Sequence, residues 1–177
     1  MRFSQTTFVP VRRAGALAVA IAVLGSVAMA PRAHAATGTD AICTTAITLF
    51  LTPGFSARPG ASTVTSRGEK GTLLCTGTEN GHRITGPGTL GVEEITQASC
   101  VSDHSSGQVT ASFPTVAGWT HIVGALIGHR LGLVEFVDIN FPQAHFSGAG
   151  PVVPTSGDCV IAPITQALVS ITGILHG

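Results

Sequence analysis

Seven histidines, nine carboxylates and four cysteines are the side chains of this 177-residue sequence able to bind metal, move protons or cross-link strands. A neutral imidazole is the commonest metal ligand. His121, His129 and His145, with Asp138 or Glu135, would form a metal or acid/base site if a hairpin brought them together. No H-E-x-x-H or H-x-H pair fixes two of them on one face by local geometry. Scattered turn and surface positions are therefore the default for these three and for His82 and His104, while His176 stands next to the last residue and is expected to be loosely held.

Other constellations meet similar objections. Gly86-Pro87-Gly88-Thr89-Leu90-Gly91 matches G-x-G-x-x-G, but a dinucleotide site needs that loop to open a helix after a strand, and β-forming residues follow here. No G-x-S-x-G elbow occurs, which removes the main sequence support for that type of hydrolase. Asp103-His104-Ser105 has the letters of a relay triad, yet adjacent residues do not aim their side chains at one another, so it reads as a turn. No cofactor is implied, and a non-catalytic protein is favoured over an enzyme.

The cysteines speak about compartment. Arg2, Arg12 and Arg13 precede an apolar run over residues 14–30, and Ala33-His34-Ala35 supplies small residues at −3 and −1 of a cleavage site. Residues 1–35 thus read as a secretory signal peptide cut after Ala35, or after Ala36, leaving a single β domain over 36–177. The run is shorter than the roughly 20 residues of a bilayer-spanning helix. Arg12-Arg13 lacks the flanking context of a twin-arginine signal. Cys43, Cys75, Cys100 and Cys159 all lie in the exported part, where disulfides persist. Three connectivities are open; Cys43 with Cys75 and Cys100 with Cys159 is preferred, since the first pair would join two neighbouring strands. A zinc site would want spacings of two to four residues, far shorter than these.

Without the signal, five basic residues face nine acidic ones. Arg58, Arg67, Lys70, Arg83 and Arg130 are too scattered to neutralise a run of phosphates, which excludes nucleic acid as a partner class. One tryptophan and no tyrosine leave few stacking platforms for sugars or single strands.

The elements that must position these groups are strands. Gly, Thr, Ser and Val are abundant beyond residue 36, and turn residues recur about every ten positions. Strands are expected over 42–51, 71–77, 82–85, 91–101, 108–113, 120–127, 131–141 and 158–175, the last broken at Pro163. Turns are expected at Thr52-Pro53-Gly54, Arg58-Pro59-Gly60, Glu79-Asn80-Gly81, Gly86-Pro87-Gly88 and Ser105-Ser106-Gly107. About seven to eight such strands predict an all-β fold, a single antiparallel β-barrel or β-sandwich stapled by disulfides. Gly124, Gly128 and Gly132 stand four apart, like a close-packing face of paired membrane helices. A hairpin turning near Gly128 and His129 accounts for them better, because Leu133, Val137, Ile139 and Phe141 then alternate onto one face. Glu135 shares that face; either a bulge re-registers the strand there, which is favoured, or the carboxylate points inward to a function.

The first cysteine strand, Thr52-Pro53-Gly54-Phe55-Ser56-Ala57-Arg58-Pro59, Cys75-Thr76-Gly77, Phe146-Ser147-Gly148 and Gly157-Asp158-Cys159, together with the export signal, resemble the small secreted β-rich proteins of unknown function from actinobacteria. The resemblance covers most of the exported part outside 119–141. It implies a shared scaffold, with no catalytic or binding residue to carry over. Two functions are expected from these features. One is a secreted or cell-envelope binding or structural module, its partner an apolar small molecule or an envelope component. The other is an exported enzyme or metal-binding protein using His121, His129 and His145.

Overall fold

A computed structural model describes residues 38–177; the expected signal peptide and its cleavage site lie outside the described residues. Ten antiparallel strands form there and no helix: β1 (Asp40–Phe55), β2 (Gly60–Thr65), β3 (Gly71–Glu79), β4 (His82–Arg83), β5 (Gly88–Ala98), β6 (Ser102–Thr115), β7 (Gly118–Leu131), β8 (Val134–Asn140), β9 (His145–Ser156) and β10 (Ile164–His176). Strand formation follows from the period-two pattern. In β1, Ala41, Cys43, Thr45, Ile47, Leu49 and Leu51 are buried while Ile42 and Thr44 face outward. Such alternation is stable only if the apolar face finds one shared interior.

The sheet supplies that interior by closing on itself. Successive strands from β5 to β10 pair as neighbours, and β10 pairs back along β1 from Asp40↔His176 to Phe50↔Gln166. β2 and β3 share one place in the ring, end to end between β1 and β5. One end of the ring carries the connections at 56–59, 99–101, 132–133 and 157–163; the other carries those at 116–117 and 141–144.

The all-β, antiparallel class is as expected, with several elements placed differently. β1 runs through Thr52-Pro53-Gly54, where the β10 ladder merely skips from Phe50 to Phe55. Ser105-Ser106-Gly107 is no turn but the middle of β6, and the reversal falls at residues 99–101, where Ser99 gathers the N–H groups of Val101 and Ser102. The hairpin expected at Gly128 turns four residues later, at Gly132 and Leu133. β2 and β9 were not anticipated: β9 carries Gly148, Gly150, Pro151 and Pro154, residues that weaken a strand signal, and its two glycines lie where a Cβ would strike the β10 backbone. Residues 158–163 form a loop because Asp158 Oδ1 accepts the N–H groups of Val160, Ile161 and Ala162 at 3.0, 2.8 and 3.2 Å, taking them out of any ladder.

Two cysteine pairs stand at disulfide distance. Cys43 and Cys75 face each other on β1 and β3 with Cα atoms 4.1 Å apart, and Cys100 and Cys159 link the 99–101 and 157–163 connections with Cα atoms 6.0 Å apart. The second pair ties together the end of the ring at which β5, β6, β9 and β10 turn.

Phe113 and Val109 of β6 are the most deeply buried apolar side chains. Truncating such a ring leaves a cavity in a closed interior that cannot collapse. Phe113→Ala is therefore expected to lower unfolding stability by about 3–5 kcal/mol, whereas Val160→Ala, at a side chain 91% exposed, should stay within about 0.5 kcal/mol. Urea unfolding of both variants checks this.

Candidate binding site inside the ring

The interior encloses a cavity of about 100 Å3. Leu49, Leu51, Val92, Val109, Ala111 and Phe113 represent its walls, which are aliphatic and aromatic over most of their extent. Four charged or titratable side chains interrupt them: Glu94, Asp103, Arg130 and Glu135. Register explains how four strands deliver them to one place. Asp103 on β6 lies opposite Arg130 on β7, which lies opposite Glu135 on β8, one inward-facing row across three strands. Two residues deeper, Thr96, Ser105, Gly128 and Val137 form the next row, and Glu94 stands in the row below that, opposite Gly107.

Arg130 is 3% exposed and holds the row. Its Nε donates to Asp103 Oδ2 at 2.8 Å, one terminal nitrogen donates to the Cys100 and Gly132 carbonyls at 3.1 and 3.0 Å, and the other donates to the Ser99 carbonyl at 2.6 Å. The guanidinium also lies 5.2 Å from the centre of the Phe55 ring. It thereby fastens the β5–β6 and β7–β8 connections to each other from inside. Two buried atoms have no hydrogen-bond partner among the described residues, Asp103 Oδ1 and Ser105 Oγ.

Glycine makes the room. A Cβ at Gly128 would stand 2.5 Å from Ser105 Oγ and 2.7 Å from Glu135 Oε1, so any side chain there would push the two groups apart. At Gly124 it would meet the Phe141 ring at 2.6 Å. Gly124 and Gly128 therefore serve an inward-packed strand, and Gly132 the turn that follows it, rather than a helix face.

Burial disfavours the ionised form of both glutamates. It lifts the Glu94 carboxyl from 4.5 to about 7; the Ser105 hydroxyl offsets part of that rise, although its Oγ completes no well-formed hydrogen bond, and the Asp103 charge adds to it. Burial, then the charges of Asp103 and Glu94, push Glu135 up to about 8 against the pull of Arg130. Two carboxyls that carry protons near neutrality can donate hydrogen bonds as well as accept them.

Of the residues singled out in the sequence, Glu135 belongs to this site, and in the orientation that was not favoured: the β7–β8 ladder runs without a bulge from Leu131↔Val134 to Ala125↔Asn140, so the carboxyl points inward. The histidines do not converge. His121 and His129 lie on the outer face of β7, eight residues or roughly 26 Å of strand apart. His121 bonds Ser112 at 2.8 Å, and His129 stacks on Phe136 with centroids 4.9 Å apart. His145 approaches Asp138 at 3.5 Å and the His176 ring at 5.5 Å. Among the described residues no group of three His, Cys, Asp or Glu could hold a metal ion. Gly88 to Gly91 of the G-x-G-x-x-G match lie within β5, so no helix opens there.

No family, curated protein or solved structure matches the chain. The site therefore rests on its own geometry. Glu94 escaped the sequence reading, which set Asp103 and Ser105 aside as a turn and Arg130 as one of five scattered basic residues; yet Leu90, Val92, Glu94, Thr96 and Ala98 already alternate, and continuing that alternation puts Glu94, and not Glu93, indoors. No helix among the described residues is long and apolar enough to cross a membrane.

The raised carboxyls give stability a definite pH dependence. Both groups bind protons more tightly in the folded chain than at their unfolded 4.5, so stability falls as pH rises from about 4.5 and levels off above about 8. Glu94→Gln/Glu135→Gln should flatten that decline. Urea midpoints measured from pH 5 to 9 on both proteins test this, and a parallel decline in the two would contradict it.

Proposed function

We propose that this chain is an exported, non-catalytic binding protein that holds a small, mostly apolar molecule inside its closed sheet. The observation carrying the reading is the cavity itself: apolar walls with a few convergent polar groups at one end, the usual form of a small-molecule site. Its volume of about 100 Å3 sets the scale of the occupant. A dry engineered cavity of about 150 Å3 accepts benzene or xenon, so this interior suits a ligand of only a few heavy atoms. Export is supported by the signal-like residues 1–35 and by cysteine pairs of the kind that persist in oxidising compartments. A scaffold of the actinobacterial secreted type is consistent with both.

A second reading, an enzyme, is favoured by one observation only, the two carboxyls held near neutrality in a buried site. In that case the acid/base groups are Glu94 and Glu135, and the outward-facing His121 and His129 take no part. The triad of histidines with a metal has no geometric support.

Xenon is the direct probe of the cavity. Crystals pressurised with xenon should show one atom among Val92, Val109 and Phe113, and Ala111→Phe, which fills that space, should abolish it. An interior that stays free of xenon in well-diffracting crystals would refute the binding reading.

A further inference from the structure

We propose that the occupant of this cavity is a small aliphatic amine, whose ammonium group seats among Glu94, Asp103 and Glu135 while its hydrocarbon lies against Val92, Val109 and Phe113. This rests on the binding reading above and names the chemistry of the polar end. The case is one of donors and acceptors. Arg130 commits four of its N–H donors to Asp103 Oδ2 and to three backbone carbonyls, leaving little for an anionic ligand. Acceptors, by contrast, are in surplus: two glutamate carboxyls and Asp103 Oδ1, an atom with no partner on a side chain only 7% exposed. An ionised carboxylate oxygen left unpaired in a dry interior is costly, and only a donor can relieve it. A carbonyl-headed ligand would take hydrogen bonds from protonated glutamates and leave Asp103 Oδ1 orphaned. An ammonium brings three donors at once. Ser105 Oγ, the other unpartnered atom, and Glu135 Oε1 both flank the position that a Cβ of Gly128 would occupy.

Charge reaches the same conclusion. The titratable groups facing this point are Glu94 from β5, Asp103 from β6, Arg130 from β7 and Glu135 from β8, while Cys43 and Cys75 on the far wall are paired with each other. Arg130 balances one of the three carboxylates. With an ammonium bound, ionised Glu135 balances the second positive charge, Glu94 keeps its proton, and the site is neutral. Burial keeps Glu135 protonated up to about 8 in the empty protein, so the incoming alkylammonium displaces one proton. The neutral carboxyl becomes a carboxylate paired with the intact ammonium, and the proton leaves to solvent. No bond to carbon changes.

Three probes of one shape separate the possibilities: isobutylamine, isobutanol and isopentane, which differ only in the head group. Titration calorimetry of the full exported chain should show isobutylamine binding roughly 10- to 100-fold more tightly than isobutanol, the range expected for hydrogen bonds to a charged group. Titrations in phosphate and in Tris should report release of close to one proton. Amine affinity should rise with pH by up to about tenfold per unit and level off above about 8, with no such rise for isopentane. Glu135→Gln, close in shape to the original, should remove the amine preference and the proton release while isopentane still binds. Equal binding of amine and alcohol without proton release would overturn the amine proposal and leave the binding reading standing. Failure of all three probes, together with no xenon uptake, would overturn both.

Discussion

A sheet closed on itself has one interior, and every strand must fill its share of it. That constraint governs the rest of this molecule. Because β10 returns to β1, all inward residues compete for one volume, and size is negotiated between neighbouring strands: glycine at 124 admits Phe141, and glycine at 128 admits Glu135 and Ser105. Where large apolar groups meet, as around Phe113, they are fully buried and wall the cavity. Where charged groups meet, the interior can tolerate them only as a set.

That set is organised by one guanidinium. Desolvating Arg130 and Asp103 cancels much of their mutual attraction, so the ion pair by itself adds little to stability. What Arg130 supplies is position. Its donors fix the carbonyls of Ser99, Cys100 and Gly132, and with them the two connections that turn at that end, while the Cys100–Cys159 pair brings a third connection to the same place. Glu94 and Glu135 are then held in an apolar setting where Arg130, the cation opposite Glu135, is already paired with Asp103, and protonation is how each lowers the cost of its burial.

The sequence is legible in what depends on local chemistry. Strand character follows from Val, Ile and Thr at alternating positions, and the Asn80-Gly81 reversal follows from two residues tolerant of positive φ, as observed at 48° and 74°. The site is less legible because register decides it. Asp103-His104-Ser105 reads as a turn by composition; paired with β5 and β7, the same three residues become inward, outward and inward. Glu135 looked like a flaw in an apolar face, and the flaw is the site. Proline and glycine hid β9, since their cost to a strand is local whereas the room they make for β10 appears only once the ring is closed.

The β1–β10 ladder also bears on the order of events during synthesis. Its pairs join Asp40 to His176 and Thr44 to Thr172, so the seam of the ring is sewn between the earliest and latest parts of the described chain. Contacts so distant in sequence form slowly, because the intervening chain must give up its freedom before they repay it. Until β10 has emerged, β1 has an unpaired edge and the interior has an open side. The chain acquires its closed interior only when β10 arrives, so any molecule held there can be enclosed only after the last of the ten strands has paired with the first.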